Sequence, residues 1–202
     1  MSRPIKLRHP PRFTRDIVDD ARQRVAELAD DLGRLLDEYG DDIEVWGSAV
    51  TTAGWELAAL GQWLGLEGEA VLLLGGASYP EIAEHQGTSA SNVYNRVGRS
   101  LTLAPYATAS GSVAKVTAEA LTEARLDYAH DDPRDDDDAD GPAEGSLADR
   151  IPAVLADGRL STVEIARRLP EYRRSSVLST LSHLAREGTI LRTGHGVYAL
   201  PG

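Results

Sequence analysis

Four side chains with hydrogen-bonding edges, Asn92, Asn95, Arg96 and Arg99, fall within eight consecutive residues. A carboxamide pairs two ways with adenine, and a guanidinium two ways with guanine, in the major groove of duplex DNA. Ser91 lies beside them, and Ser89 and Tyr94 offer hydroxyls of the kind that contact phosphate oxygens. A second group follows later in the chain: Arg173, Arg174, Ser175, Ser176, Ser179, Ser182, His183 and Arg186, then Arg192 and His195. Side chains of these types hold a polyanion and read its edges.

Bond-breaking chemistry finds little support. The 202 residues include no cysteine, which excludes disulfides, thiolate nucleophiles and Cys-ligated metals and fits a reducing compartment. The five histidines, His9, His85, His130, His183 and His195, have no metal-site spacing. Gly194-His195-Gly196 is too short for a phosphate loop, and no Ser/His/Asp set sits in a strand-turn-helix context. The expectation is a non-enzyme with no cofactor and no metal.

The net charge of −11 argues against DNA as a partner, but its distribution softens the objection. Residues 16–70 carry a net −11 and residues 131–150 a net −7, while residues 71–112 are neutral and residues 151–202 carry +3. Charges more than about 8 Å apart are largely screened at physiological salt, so the local balance governs a contact. No apolar run approaches the roughly 18 residues of a membrane span. The basic segment Met1 to Phe13 is not followed by an apolar signal core. A cytoplasmic, nucleoid-associated protein with no membrane partner is expected.

The elements that must position these residues can be read from periodicity and punctuation. Residues 1–13, with three prolines and four basic residues, form a flexible basic arm. Residues 14–130 form an all-α domain. Its first helix, Thr14 to Tyr39, places Val18, Ala21, Val25, Leu28, Leu32, Leu35 and Tyr39 on a heptad seam. That seam either pairs with a second chain, giving a homodimer through residues 14–39, or packs on the helices that follow. Trp46 to Leu66 is a second helix, with Trp46, Trp55 and Trp63 as core aromatics. The pattern S-x-x-E-I-A then occurs twice, at Ser78–Ala83 and Ser161–Ala166. In each copy the Ser caps a helix and the Glu closes a capping box.

After the first copy, Gly87 makes a turn and Ser89–Leu101 forms a helix burying Val93, Val97 and Leu101, so that Ser91, Asn95 and Arg99 face out. A further helix is predicted over Ser112–Ala129. Residues 131–146 are a disordered acidic linker. Residues 147–202 form a second domain with helices Leu147–Ala156, Ser161–Leu169 and Arg173–Glu187. Its third helix buries Val177, Leu181 and Leu184, leaving Ser175, Ser179, Ser182 and Arg186 outward. Strands Thr189–Thr193 and Val197–Leu200 close it as a hairpin.

The run Gly87 to Leu101, with the preceding Ser-x-x-Glu-Ile-Ala, resembles the recognition half of the fourth conserved region of bacterial sigma factors and related response-regulator domains. Gly87, Ser89, Val93 and Val97 occupy that pattern's turn, cap and buried places. Thr88 and Gly98 depart from it, and no sigma core-binding segment precedes it. Val177 to Leu200 resembles the end of a winged helix-turn-helix domain, with Gly188, Ile190, Arg192, Gly194, Gly196, Tyr198 and Leu200 in its strand-wing-strand places. The resemblance implies a mainly α protein with a helix-turn-helix at residues 67–101, an acidic linker and a C-terminal winged helix. It implies double-stranded DNA as the partner and transcriptional regulation in a bacterium, phage or plasmid. The alternative is a protein-interaction or assembly module, such as a phage packaging or replication accessory, using the same helices.

Overall fold

The computed structural model describes residues 5–110, 113–129, 146–194 and 196–202. Among these the chain is mainly helical. The acidic run expected as a linker lies outside the described residues, apart from Ser146.

Helix α1 (Arg12–Tyr39) and helix α2 (Ile43–Leu74) form an antiparallel hairpin. Asp42 starts α2 by accepting hydrogen bonds from the Glu44 and Val45 N–H groups at 3.0 and 3.1 Å, satisfying donors that a helix start leaves open. The break expected between Leu66 and Glu67 is absent, because nothing there interrupts helical hydrogen bonding. The seam on α1 is used within the chain: Ala21 and Leu28 cluster with Leu60 of α2. Val18, Val25, Leu35 and Tyr39 stay exposed, so the seven-residue seam is split rather than offered whole to a partner. Trp55 and Trp46, expected in the core, are exposed. Only Trp63 packs inward.

Helix α2 also corrects the expectation about apolar length. It is long and apolar enough to cross a membrane by length and composition. Glycine, alanine and threonine dilute the pattern, so it does not read as a continuous run of large apolar residues. It is paired with a heavily charged α1, and the Arg24–Glu56 ion pair at 2.7 Å joins the two helices.

Short elements follow: α3 (Tyr79–Gln86), α4 (Ala90–Arg96), a 3-10 turn over Val97–Arg99, strands β1 (Thr108–Ser110) and β2 (Val113–Lys115), and α5 (Ala118–Ala129). Strands β1 and β2 pair antiparallel, with Ala109 opposite Ala114. This hairpin replaces the first turns of the helix expected over Ser112–Ala129. The sequence Thr108-Ala-Ser-Gly-Ser-Val-Ala-Lys-Val carries a Gly-Ser pair between short segments with β-branched residues, which was the available sign of it.

The C-terminal unit runs α6 (Leu147–Leu155), β3 (Leu160–Ser161), α7 (Thr162–Arg168), α8 (Arg174–Arg186), β4 (Leu191–Gly194) and β5 (Val197–Ala199). The sheet order is β3-β5-β4, all antiparallel. The two-residue β3 was not foreseen. Ile151, Leu155, Ile165, Val177, Leu181 and Tyr198 fill its core. The other large core joins Phe13 and Ile17 of α1, Leu73 and Leu74 of α2, Ile82, Val93, Val97 and Tyr128. The expected arm is tied down in part, since the Leu7 N–H donates to the Leu74 carbonyl at 3.2 Å.

A buried polar contact links three segments. The Glu67 carboxylate, fully buried, accepts the Leu101 N–H at 2.5 Å and the Thr102 hydroxyl at 2.6 Å. The Thr102 hydroxyl also lies 2.7 Å from that of Thr14. Burial pushes the Glu67 carboxyl above the usual range, against the opposing pull of these hydrogen bonds. A raised folded-state value means the contribution to stability is full below the ordinary glutamate value and is lost as pH rises through the folded one. Glu67→Gln is therefore expected to flatten the decline in stability over the pH range above the ordinary glutamate value. Urea midpoints across that range check it; an unchanged slope would contradict the assignment.

Candidate nucleic-acid interface

Helix α3 is fixed at both ends. Ser78 and Glu81 form a reciprocal capping box, with Glu81 accepting the Ser78 N–H at 2.7 Å. These bonds hold the Glu81 carboxyl below its ordinary value. At the other end Gly87 adopts φ +64°, and the Thr88 N–H donates to the Ala83 carbonyl at 2.9 Å. Ser89 then caps α4 by accepting the Asn92 N–H at 3.2 Å.

The turn geometry sets which side of α4 faces out. Val93 and Val97 are fully buried. Ser91, Asn92, Asn95 and Arg99 are exposed. The Asn92 carboxamide donates to the Thr88 hydroxyl at 3.1 Å, so it braces the turn. Tyr94 packs edge-on to Tyr79, with ring centroids 5.2 Å apart, and Lys115 of β2 lies over its ring at 5.9 Å. The α helix ends at Arg96 rather than Leu101, and the chain tightens into the 3-10 turn, where Gly98 is buried. A Cβ on Gly98 would lie 2.3 Å from the Ala114 carbonyl oxygen. Gly98 thus lets the β1–β2 hairpin lie directly against the end of α4, which accounts for its departure from the family pattern.

The two glycines make separate predictions. Gly87→Ala meets no neighbour within 4 Å and should cost about 1 kcal/mol from its left-handed backbone alone. Gly98→Ala must move backbone and should cost roughly 1–3 kcal/mol. Urea denaturation ranks them; an equal or reversed order would contradict the close approach.

Arg96 is placed differently from the expectation. Its guanidinium donates to both oxygens of the nearly buried Glu69, at 3.0 and 3.2 Å from Nε and 2.5 Å from Nη2, and to Gln86 at 2.5 Å. It braces α4 against α2 and is withdrawn from base reading.

The later group is corrected more deeply. Ser175 and Ser182 of α8, expected to face out, are buried, and the Ser175 hydroxyl lies 3.4 Å from the Asp127 carbonyl. Leu178 sits between them on the same face and enters the first core. Serines are small enough to let neighbouring helices close on that leucine, so α8 has two buried stripes instead of one. Ser176 and Ser179 are half-buried. Arg174 pairs with Glu123 at 3.1 Å and stacks over Tyr106. Arg186 donates to Asp16 of α1 at 2.5 Å. Arg192 meets Asp20 of α1 and donates to the Tyr198 hydroxyl at 2.9 Å. His183 is exposed, 3.4 Å from Glu187, and Arg173 is exposed ahead of α8. His195 lies outside the described residues.

Ser91, Asn92 and Asn95 of α4 are thus exposed, whereas Ser175 and Ser182 of α8 are buried. No family model, no curated protein and no solved structure matches the chain. Among the described residues, no three His, Asp or Glu side chains gather as a metal-binding group. A cleft of about 420 Å³ lies between α1, α2 and the β4–β5 hairpin. Its charged walls are already paired, Arg24 with Glu56 and Arg192 with Asp20.

Proposed function

We propose that this chain is a sequence-specific duplex DNA-binding protein, and that it acts as a transcriptional regulator. The carrying observation is the exposure of Ser91 and Asn95 on α4 and of Arg99 in the turn that follows it, with Val93 and Val97 buried. In this reading α3 and α4 are a helix-turn-helix, α4 enters the major groove, and β1–β2 lies beside it as a wing. Asn95 reads adenine and Arg99 guanine. Ser89 and Lys115 contact phosphates.

The C-terminal unit is a second winged helix with a different task. Three of its arginines, Arg174, Arg186 and Arg192, are matched by Glu123, Asp16 and Asp20 of the first unit, so it braces the reader instead of reading a second site. Selection of bound duplexes from a random pool tests the assignment. Asn95→Ala or Arg99→Ala should relax preference at one or two base pairs, each contact being worth about 1–3 kcal/mol of discrimination. Identical selected sequences for wild type and both variants would remove α4 as the reader. One observation favours the assembly-module reading instead: a helix expected to read DNA is covered by protein in a chain of net charge −11. Failure to retain any duplex at low salt would select that reading.

A further inference from the structure

The densest run of cations without an acid, in a chain of net charge −11, is its start: Lys6, Arg8, Arg12 and Arg15 all precede the first acid, Asp16. The structure fixes this segment. Leu7 is half-buried against the first core, its N–H donates to the Leu74 carbonyl at 3.2 Å, and Pro11 and Phe13 are buried. With Leu7 held inward, its neighbours Lys6 and Arg8 are exposed on either side. A Cβ on Gly76 would lie 2.6 Å from the Lys6 Cε, so Lys6 lies across the glycine that leads into α3. Lys6 also acts on Glu81 in the first turn of α3, adding to the Ser78 hydrogen bonds that hold that carboxyl down. Among the described residues Arg8 and Arg15 form no ion pair, and Asp16 is engaged by Arg186.

We propose that Lys6 and Arg8 grip the phosphate backbone of duplex DNA beside α3, as a fixed clamp outside the groove that α4 reads. The inference rests on the reading of α3 and α4 as a helix-turn-helix, in which the first helix crosses the DNA backbone while the second lies in the major groove. Helix α3 starts at the basic corner and ends at the turn before α4. Its eight residues span about 12 Å, and the major groove is about 12 Å wide. A cation at the far end of α3 therefore stands at the distance of a bordering strand when α4 occupies the groove. The first turn of α1 carries no acid, so Arg12 and Arg15 add to the positive field there. A segment already anchored by Leu7 and Phe13 loses little freedom on binding, and Arg8 has no carboxylate to give up. Phosphate contacts add affinity and fix register without reading sequence. They suit a reader whose helix α4 holds one cation, Arg96, engaged by Glu69.

Anisotropy titrations of the full chain against a selected and a random duplex, over a salt series, test the proposal. Lys6→Gln with Arg8→Gln is expected to flatten the plot of log affinity against log salt by roughly 2, and to weaken both duplexes by the same factor. Arg22→Gln with Arg34→Gln removes two exposed charges further along α1 and should leave the slope as in wild type. An unchanged slope in the first pair, or an equal flattening in the second, overturns the proposal while the reading of α4 stands. An unchanged slope together with lost flotation of the first pair on phosphatidylcholine–phosphatidylglycerol vesicles would assign the corner to an anionic lipid surface instead. A larger loss on the selected than on the random duplex also overturns it, since that is the mark of a base contact. A wild type that binds neither duplex at any salt overturns the helix-turn-helix reading, and this inference with it.

Discussion

Leu178→Ala is expected to lower stability by about 3 kcal/mol and to loosen the C-terminal unit from the rest of the chain. Leu178 is fully buried, and among the described residues it alone brings the C-terminal unit into the first core. Its neighbours Val177, Leu181 and Leu184 point into the other core, which the substitution leaves filled. Other links between the units include the Ser175 contact, the ion pairs of Arg174, Arg186 and Arg192, the stacking of Arg174 on Tyr106, and the contact of α7 with the turn at Ala104–Tyr106. Ion pairs with solvent-exposed partners contribute about 0–1 kcal/mol each, less than the buried leucine. For a chain of this length the cost corresponds to a fall in melting temperature of roughly 6–12 °C. Calorimetry should also resolve the single transition into two. A variant that melts like the wild type would show that the α8 contact carries no stability.

Arg96→Ala comes next in expected size, and its effect should fall on stability rather than sequence preference. The substitution strands the Glu69 carboxylate, which is almost wholly buried and takes three hydrogen bonds from that guanidinium. Removing one partner of a fully buried pair costs about 3–5 kcal/mol. Arg96 is itself two-fifths exposed, and water there moderates the penalty to about 2 kcal/mol. Melting should fall by roughly 4–8 °C. Adding Glu69→Gln removes the stranded charge and should restore much of the loss. Asn95→Ala, at an exposed position, should leave melting within about 0.5 kcal/mol of wild type. Equal destabilisation by Arg96→Ala and Asn95→Ala would contradict the division between brace and reader.

The sequence was most legible where a backbone requirement had one chemical answer. Ser78 with Glu81, Gly87, and Ser161 with Glu164 announced their caps and turns because few residue types do those jobs, and the structure forms all of them. The stripe Val93–Val97 was legible for the same reason that the outward row was: helical spacing sorts one side from the other. Long-range packing was not legible. Leu178 stood in a serine-rich stretch and looked incidental, yet those serines are what let α1 and α5 close on it. Arg96 looked identical in kind to Arg99, and only the fold brings Glu69, 27 residues earlier, against Arg96. Gly98 read only as a departure from the family pattern because the strand it admits, β2, begins fifteen residues later. Each miss involves a partner distant in sequence, where local periodicity carries no information.

The most direct test of the central claim is a salt titration of duplex affinity with the purified chain, read by anisotropy of a labelled fragment containing a selected site. The account predicts binding at low salt, with log affinity falling linearly against log salt at a shallow slope of roughly −2 to −4, matching the few cations near α4. It also predicts that Asn95→Ala weakens the selected site more than a random duplex. Absence of binding at the lowest salt, or an affinity indifferent to both salt and Asn95, would contradict it.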